Sequence, residues 1–261
     1  MATVFLTGAT DGLGRAVAHR LAAEGFDLIL HGRDQARLDR VAAEIGGSPR
    51  TVRADLSQLS QVRRLAADVS AATDRLDVFI SNAGLGSPDP ERRVSADGHE
   101  LHFAVNYLAG FLLARQLLPL LRRSAPARIV FVASLSRARL DFDDLMLERG
   151  YSGDRAYGQS KLAQVISGFE LAGRTDATEV TVNSLHPATL MPTKMVPAHA
   201  TIDTLETGVA ATVRLATSRE LAGVTGRFYD RQRETHADPQ AYDDDVRARL
   251  WRISEELVSH V

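Results

Sequence analysis

The stretch ATVFLTGATDGLG, residues 2–14, decides the fold. A short apolar run carrying β-branched Thr3 and Val4 ends at Thr7. Gly8, Gly12 and Gly14 then crowd one turn, and Val17, Leu21 and Ala22 open a helical stripe that ends near Gly25. A turn from a buried strand into a helix N-terminus exposes free backbone N–H groups at the positive end of the helix dipole, the natural seat of a phosphate. Glycines there let the main chain approach a pyrophosphate and let the helix pack on the strand. The spacing is G-x3-G-x-G rather than G-x-G-x-x-G, and a structural turn without a ligand is the bland alternative.

The rhythm set by this unit repeats outward. DLILH (27–31) is a second apolar run, and Leu38, Val41, Ala42 and Ile45 form a stripe stopping at Gly46-Gly47. RTVRADL, a helix from about Gln58 to Ala72, and LDVFIS follow. Then come a long helical stretch over Asp97–Leu121, RIVFVAS, a helix over Ala156–Ala172, VTVNSLH, a helix over Asp203–Thr217 and the short strand GRFYD. Short strands apolar on both faces, alternating with helices, predict a doubly wound α/β fold: a seven-stranded parallel sheet with helices on both faces. Residues 1–230 are expected to form one such domain, its glycine turn suited to a dinucleotide. Residues 231–261 add a helical tail, with Val246, Leu250, Ile253 and Leu257 on one face after acidic Asp243–Asp245.

Composition narrows the function. The 261 residues are 44% hydrophobic and 25% charged, which excludes a disordered or fibrous chain. Cysteine is absent, which excludes disulfides, thiolate catalysis and cysteine-ligated zinc. A formal charge of −2 offers no general attraction for nucleic acid. The N-terminus lacks the basic and long apolar regions of a signal peptide, and the greasiest segment, Leu101–Leu121, is interrupted by Asn106, Arg115 and Gln116. A soluble, cytoplasmic protein without a membrane span is the expectation.

TGATDGLG at 7–14, NAG at Asn82–Gly84, Asn106, Ser134, Tyr157-Gly-Gln-Ser-Lys161 and HPA at 186–188 together resemble the short-chain dehydrogenase/reductase family in its compact single-domain form. The match runs from residue 3 to about residue 230. The 23-residue step from Ser134 to Tyr157 is longer than is common there, and with the phrase AYGQSKLAQ it resembles the retinol-dehydrogenase-like branch. The resemblance implies an NAD(P)-dependent oxidoreductase acting on a carbonyl/alcohol pair, with a lipophilic substrate suggested by that branch.

The cofactor contacts follow residue by residue. Gly8, Thr10, Asp11, Gly12, Leu13 and Gly14 form the phosphate turn. By resemblance Asp55 touches the adenine with Leu56 packed nearby, Asn82, Ala83 and Gly84 line the nicotinamide side, and Pro187 and Thr189 follow the sixth strand. Cofactor choice turns on His31-Gly32-Arg33-Asp34 at the end of the second strand, where Arg33 stands 19 residues beyond Gly14. A guanidinium there forks onto a 2′-phosphate and favours NADP, whereas a carboxylate holds a ribose hydroxyl and favours NAD. Arg33 points to NADP, with NAD as second choice if Asp34 holds the ribose and Arg33 is merely solvated.

The candidate catalytic set is Ser134, Tyr157, Lys161 and Asn106. Tyr157 and Lys161 are four apart on one helix face. A phenol titrates near 10, and a neighbouring ammonium brings it toward the range where a general acid works best. Ser134 ends the fifth strand, where a hydroxyl can support a developing oxyanion; Ser136 is its rival. Asn106, an amide inside an apolar helix, is by resemblance the residue holding a water behind Lys161, or else a satisfied core amide. No metal site is expected: His99 and His102 are three apart without a carboxylate cluster and read as surface histidines.

Departures and loose ends remain. Pro187-Ala188 stands where the family commonly has Pro-Gly, and Thr193 matches a cofactor-touching threonine only with one residue added. The acidic segment 137–154 either recognises a cationic substrate or is solvated, and MPTKMVPAHA (191–200) occupies a lid position. The helices at 97–121 and 156–172 carry surplus apolar surface, which with the resemblance implies a homodimer or homotetramer. The tail with Trp251 covers either the pocket or a partner. An epimerase or dehydratase and a cofactor-sensing protein without turnover are the competing readings. The first usually needs a separate substrate domain, and the second is expected to lack Tyr157, Lys161 or Ser134.

Overall fold

The computed structural model describes residues 1–86, 91–135, 138–196 and 198–259; Ser136 lies outside them. The elements run β1 (Thr3–Leu6), α1 (Gly12–Ala23), β2 (Asp27–Gly32), α2 (Gln35–Ile45), β3 (Arg50–Arg53), α3 (Leu59–Ala72) and β4 (Val78–Ser81). A π-helical segment (Phe103–Leu108) leads into α4 (Ala109–Arg123). Then follow β5 (Ala127–Val132), α5 (Gly153–Gly173), β6 (Val180–His186), α6 (Leu205–Thr217), β7 (Arg227–Asp230), β8 (Arg233–Thr235) and α7 (Asp244–Ser259).

The sheet order is β3-β2-β1-β4-β5-β6-β7-β8. β1 through β7 are parallel, with Val4 opposite both Leu28 and Val78. The seven expected strands are present, and an eighth joins them. Arg231, at φ 55, reverses the chain so that β8 pairs antiparallel with β7. Three exposed residues give β8 no apolar pattern to betray it in sequence.

Alternation of side chains divides the core. Phe5, Ile29, Phe79, Ile129 and Phe131 face α3, α4, α5 and α7, with Phe5 and Phe79 stacked at 5.4 Å. Leu6, Leu28, Leu30, Ile80, Val130 and Val132 face α1, α2 and α6. Burial on both faces is what a parallel sheet under two helical layers requires. The chain winds outward from β1 to β3, then returns to place β4 on the other side of β1. The crevice at the carboxyl ends of β1 and β4 is therefore a topological switch point, where open α/β sheets bind ligands.

Several helix boundaries differ from expectation, each for a local reason. The fourth helical stretch begins at Leu101 rather than Asp97. Gly98, at φ 83, closes a turn in which Ser95 N donates to His99 O, and Glu100 then caps the helix by accepting from His102 N and Phe103 N. Helix α5 starts at Gly153 because Ser152 accepts from Arg155 N at 3.2 Å, and α6 starts at Leu205 because Thr204 caps it.

The segment Phe103–Arg123 is long and apolar enough to cross a bilayer by length and composition; 72% of its most apolar window is buried inside the fold. Its surplus surface, with that of α5, packs against the chain's own tail. Leu250, Trp251, Ser254 and Val258 of α7 are buried, while Val246, Ile253 and Leu257 of the expected stripe only flank them. Trp251 meets Phe111 edge-on at 4.9 Å under the Arg174 guanidinium, and Tyr107 and Ser254 share a 2.6 Å hydrogen bond. Trp251 thus belongs to the core.

The acidic connection before α5 folds onto itself. Asp144 is buried and accepts from the main-chain N–H groups of Glu148 and Arg149, Asp141 pairs with Arg155 at 3.0 Å, and Gln159 donates to Leu145 O. Gln240 donates to and accepts from the Leu140 backbone, stapling the tail to this loop.

Candidate active site

A cleft of about 690 Å³ opens at the carboxyl ends of β1, β2, β4, β5 and β6. Its floor is the β1–α1 turn. Gly8 N donates to His31 Nδ1 at 3.3 Å, and His31 Nε2 faces the carbonyl of Ala54 at 3.1 Å. The buried ring is therefore neutral with its proton on Nε2, and burial brings its pKa down to about 4. Asn82 donates from Nδ2 to Thr7 O at 2.9 Å, tying β4 to the same turn, while Thr7 Oγ1 accepts from the N–H groups of Asn82 and Ala83. A Cβ on Gly14 would stand 2.1 Å from Gly8 O, so only glycine lets α1 close on the strand.

The mouth beside β2 is basic. Arg33 and Arg37 are exposed at its edge. Asp34, the residue competing for the ribose, caps α2 by accepting from Arg37 N at 3.1 Å. Asp11 caps α1 and is held between Lys194 of the 191–196 loop and Arg37 at 3.8 Å. Those cations keep its carboxyl below the usual range, the Lys194 contact acting most. Asp55 is drawn into a turn by Ser57, whose N–H and hydroxyl both donate to it.

Deeper in the cleft stand Ser134, Tyr157 and Lys161. Burial raises the Tyr157 pKa, and the neighbouring Ser134 hydroxyl only partly opposes this. Lys161 is 5% exposed and donates from Nζ to Val132 O at 2.8 Å, with Nζ 5.9 Å from the Tyr157 ring centre. Burial lowers the ammonium to about 8. The expected lowering of Tyr157 by Lys161 is thus not what the site shows: both groups are shifted toward their neutral forms by loss of water.

Asn106 lies just behind the wall, within the π-helical segment, a distortion frequent at functional sites. Its Oδ1 accepts from Leu85 N at 2.6 Å, and its Nδ2 donates to Leu85 O and to Ser160 Oγ. A Cβ on Gly84 would meet both Asn106 Oδ1 and Lys161 Nζ at 3.3 Å. Every other candidate residue lines the cleft itself: Gly8, Thr10, Asp11, Gly12, Leu13, Gly14, Arg33, Asp55, Leu56, Asn82, Ala83, Gly84, Pro187 and Thr189 join the three above. Thr189 lies at the base of the lid loop, its N–H donating to Asp203 Oδ2 and its hydroxyl contacting His186 and Arg231. Thr193 approaches Gly12, where an added Cβ would stand 3.2 Å from its methyl.

The reading of His99 and His102 as surface residues is overturned. His99 is half-buried, and His102 is buried beside Glu100. Nothing in sequence spacing separates a buried histidine–carboxylate pair from solvated side chains. His31 was equally hidden, passing as part of a strand.

The glycine turn at a switch point, with Ser134, Tyr157 and Lys161 facing it, defines a nucleotide-dependent oxidoreductase of the doubly wound α/β class. Residues 2–201 match the family model for short chain dehydrogenase, and the chain belongs to the short-chain dehydrogenase/reductase family, in its retinol-dehydrogenase-like branch. It is 37% identical to human retinol dehydrogenase 14, covering 98% of this chain and 86% of that one. An uncharacterized protein from Mycobacterium paratuberculosis has a crystal structure similar to it at TM-score 0.82 and 28% identity, over 99% of this chain and 93% of the other. The Pseudomonas aeruginosa RhlG/NADP active-site complex is similar at TM-score 0.72 and 26% identity, over 88% and 94% of the two chains.

Proposed function

We propose that this oxidoreductase transfers a hydride between NADP(H) and a lipophilic carbonyl/alcohol pair, with Tyr157 exchanging the proton at the substrate oxygen. The observation that carries the reading is the placement of Ser134, Tyr157 and Lys161 in one cleft with the apolar residues Leu85, Val105, Leu135, Met191, Met195 and Val196. The similarity to retinol dehydrogenase 14 supports an apolar substrate, and the RhlG/NADP complex supports the cofactor.

The residues present fit a dinucleotide carrying a 2′-phosphate. The turn offers glycines and the start of α1, while Arg33 and Arg37 stand at the mouth with Asp34 engaged as a cap. Bound there, the nicotinamide supplies or accepts the hydride. The chain's own residues handle the proton. Tyr157, held protonated at neutral pH, donates to the carbonyl oxygen as negative charge grows on it; in reverse its phenolate form removes the alcohol proton. Ser134 donates a hydrogen bond to the same oxygen, and charged Lys161 stabilises the phenolate that Tyr157 becomes.

The test follows nicotinamide absorbance with NADPH and NADH across retinoids, aldehydes, quinones, steroids and polyketide-like ketones, with Tyr157→Phe in parallel. NADPH-dependent turnover lost in Tyr157→Phe, with NADPH binding kept, is the expected result. Turnover undiminished in that variant, or tight NADPH binding with no substrate reduced or oxidised, overturns the proposal.

A further inference from the structure

A buried pair unused by this chemistry clamps one wall of the cleft. Glu100 and His102 are 1% and 3% exposed. His102 Nδ1 lies 3.0 Å from Glu100 Oε1, and Nε2 lies 2.7 Å from the carbonyl oxygen of Gly86. Both ring nitrogens therefore face acceptors, and only a ring carrying hydrogen on both satisfies the two contacts. Glu100 is itself fixed, accepting from the N–H groups of His102 and Phe103 at 3.0 and 2.7 Å.

The clamped segment is part of the substrate wall. Leu85 and Gly86 line the cleft, and a Cβ on Gly86 would stand 3.0 Å from Cβ of Met195 in the lid loop. From the same helical segment, Asn106, four residues after His102, holds both polar groups of the Leu85 backbone. Two side chains one turn apart thus hold the main chain at 85–86 against the lid.

Resting on the carbonyl-reductase reading above, we infer that His102, as an imidazolium braced by Glu100, is a positioning residue for the Leu85–Gly86 wall and makes carbonyl binding pH-dependent. On deprotonation the ring keeps its stronger bond to Glu100 through Nδ1–H. The bare Nε2 lone pair then faces the Gly86 oxygen, and the wall loses its anchor. Among described residues the charged groups acting on the ring are Glu100, which favours the proton, and Arg93, which opposes it. Burial also opposes it, but Glu100 and the Gly86 carbonyl outweigh both and leave the ring's affinity raised.

Nitrogen-15 correlation spectra of the full chain, with His102→Leu assigning the ring, test the charge directly. Both nitrogens of His102 carry hydrogen at pH 7, and Glu100→Gln moves the titration to lower pH. The substrate effect is read separately from KM for the carbonyl against pH. Wild-type KM rises about tenfold through the same midpoint, the value of one charge-assisted hydrogen bond. His102→Leu has a high KM that no longer varies with that midpoint, while kcat and the KM for NADPH stay within about twofold, the size of a weak interaction. A neutral ring at pH 7, an unmoved titration in Glu100→Gln, or equal losses in kcat overturn the inference. A wild type that binds NADPH but reduces nothing sinks the proposed function instead, and the ring spectrum still decides the charge of His102.

Discussion

Asp34 accepts the main-chain N–H of Arg37 at 3.1 Å, so the carboxylate following β2 caps α2 while the guanidinium of Arg33 stands exposed at the cleft mouth. A carboxylate satisfied by a helix N-terminus is a poor competitor for a ribose hydroxyl, and a helix start flanked by two arginines favours an added phosphate. Arg33→Ala is expected to weaken NADPH about tenfold or more, the value of a charge-assisted contact, and NADH far less. Arg37→Ala does the same more mildly, since it also relaxes the cluster with Asp11 and Asp34. Fluorescence titration of both nucleotides checks this; parallel losses for NADH would remove Arg33 from the phosphate site.

Lys161 sets stability against activity. Its folded-state pKa of about 8 lies below the ordinary 10.5 of a lysine, because burial penalises the charge. Between those values the unfolded chain binds more protons than the folded one, so stability rises as pH climbs from 8 toward 10.5. At pH 7 the buried ammonium costs about 3 kcal/mol by the size of that shift. Lys161→Met is therefore expected to raise the melting temperature at pH 7 by several degrees, offset by loss of the bond to Val132 O, while abolishing turnover. Differential scanning calorimetry at pH 7 and pH 10 measures both the gain and its disappearance.

His31 predicts the opposite edge of the pH range. Its pKa falls from 6.5 unfolded to about 4 folded, burial being the main cause. The unfolded state binds the extra proton in that window, so stability is lost as pH drops from 6.5 to 4, by about 3 kcal/mol. Urea unfolding at pH 7 and pH 4.5 should show a steep loss in the wild type. His31→Asn, destabilised throughout by the broken contacts to Gly8 and Ala54, should show a shallower one.

The alternation of apolar runs and helical stripes makes the parallel sheet legible, and the glycines of 7–14 locate its crevice. Each candidate site residue except Asn106 came to line that cleft because each follows the carboxyl end of a strand or faces it from α5, positions that periodicity can find. What escaped depends on partners distant in sequence. Nothing local announces that Trp251 will meet Phe111, that Glu100 and His102 will sink beneath Gly86, or that Asp34 will turn to a helix cap. The π-helical register around Asn106 is likewise invisible to a 3.6-residue period.

The tail answers the surplus apolar surface of α4 and α5 from within the chain. Residues Gly158–Phe169 of α5 are buried without interruption, so that stretch keeps no open face for a second subunit. The end of α7 is clasped as well, with the Arg63 guanidinium donating to Val258 O. Cations at a helix C-terminus satisfy orphan carbonyls and the dipole together. The full chain is therefore expected to run as a 28.4 kDa monomer in light scattering coupled to size exclusion, against the dimer or tetramer that its resemblance implies. Trp251→Ala should cost about 3–5 kcal/mol, as large-to-small core changes do. Removing the wedge between Phe111 and Arg174 uncovers α4, so concentration-dependent self-association should appear in that variant alone. A wild-type dimer that Trp251→Ala leaves intact would show that subunits meet elsewhere.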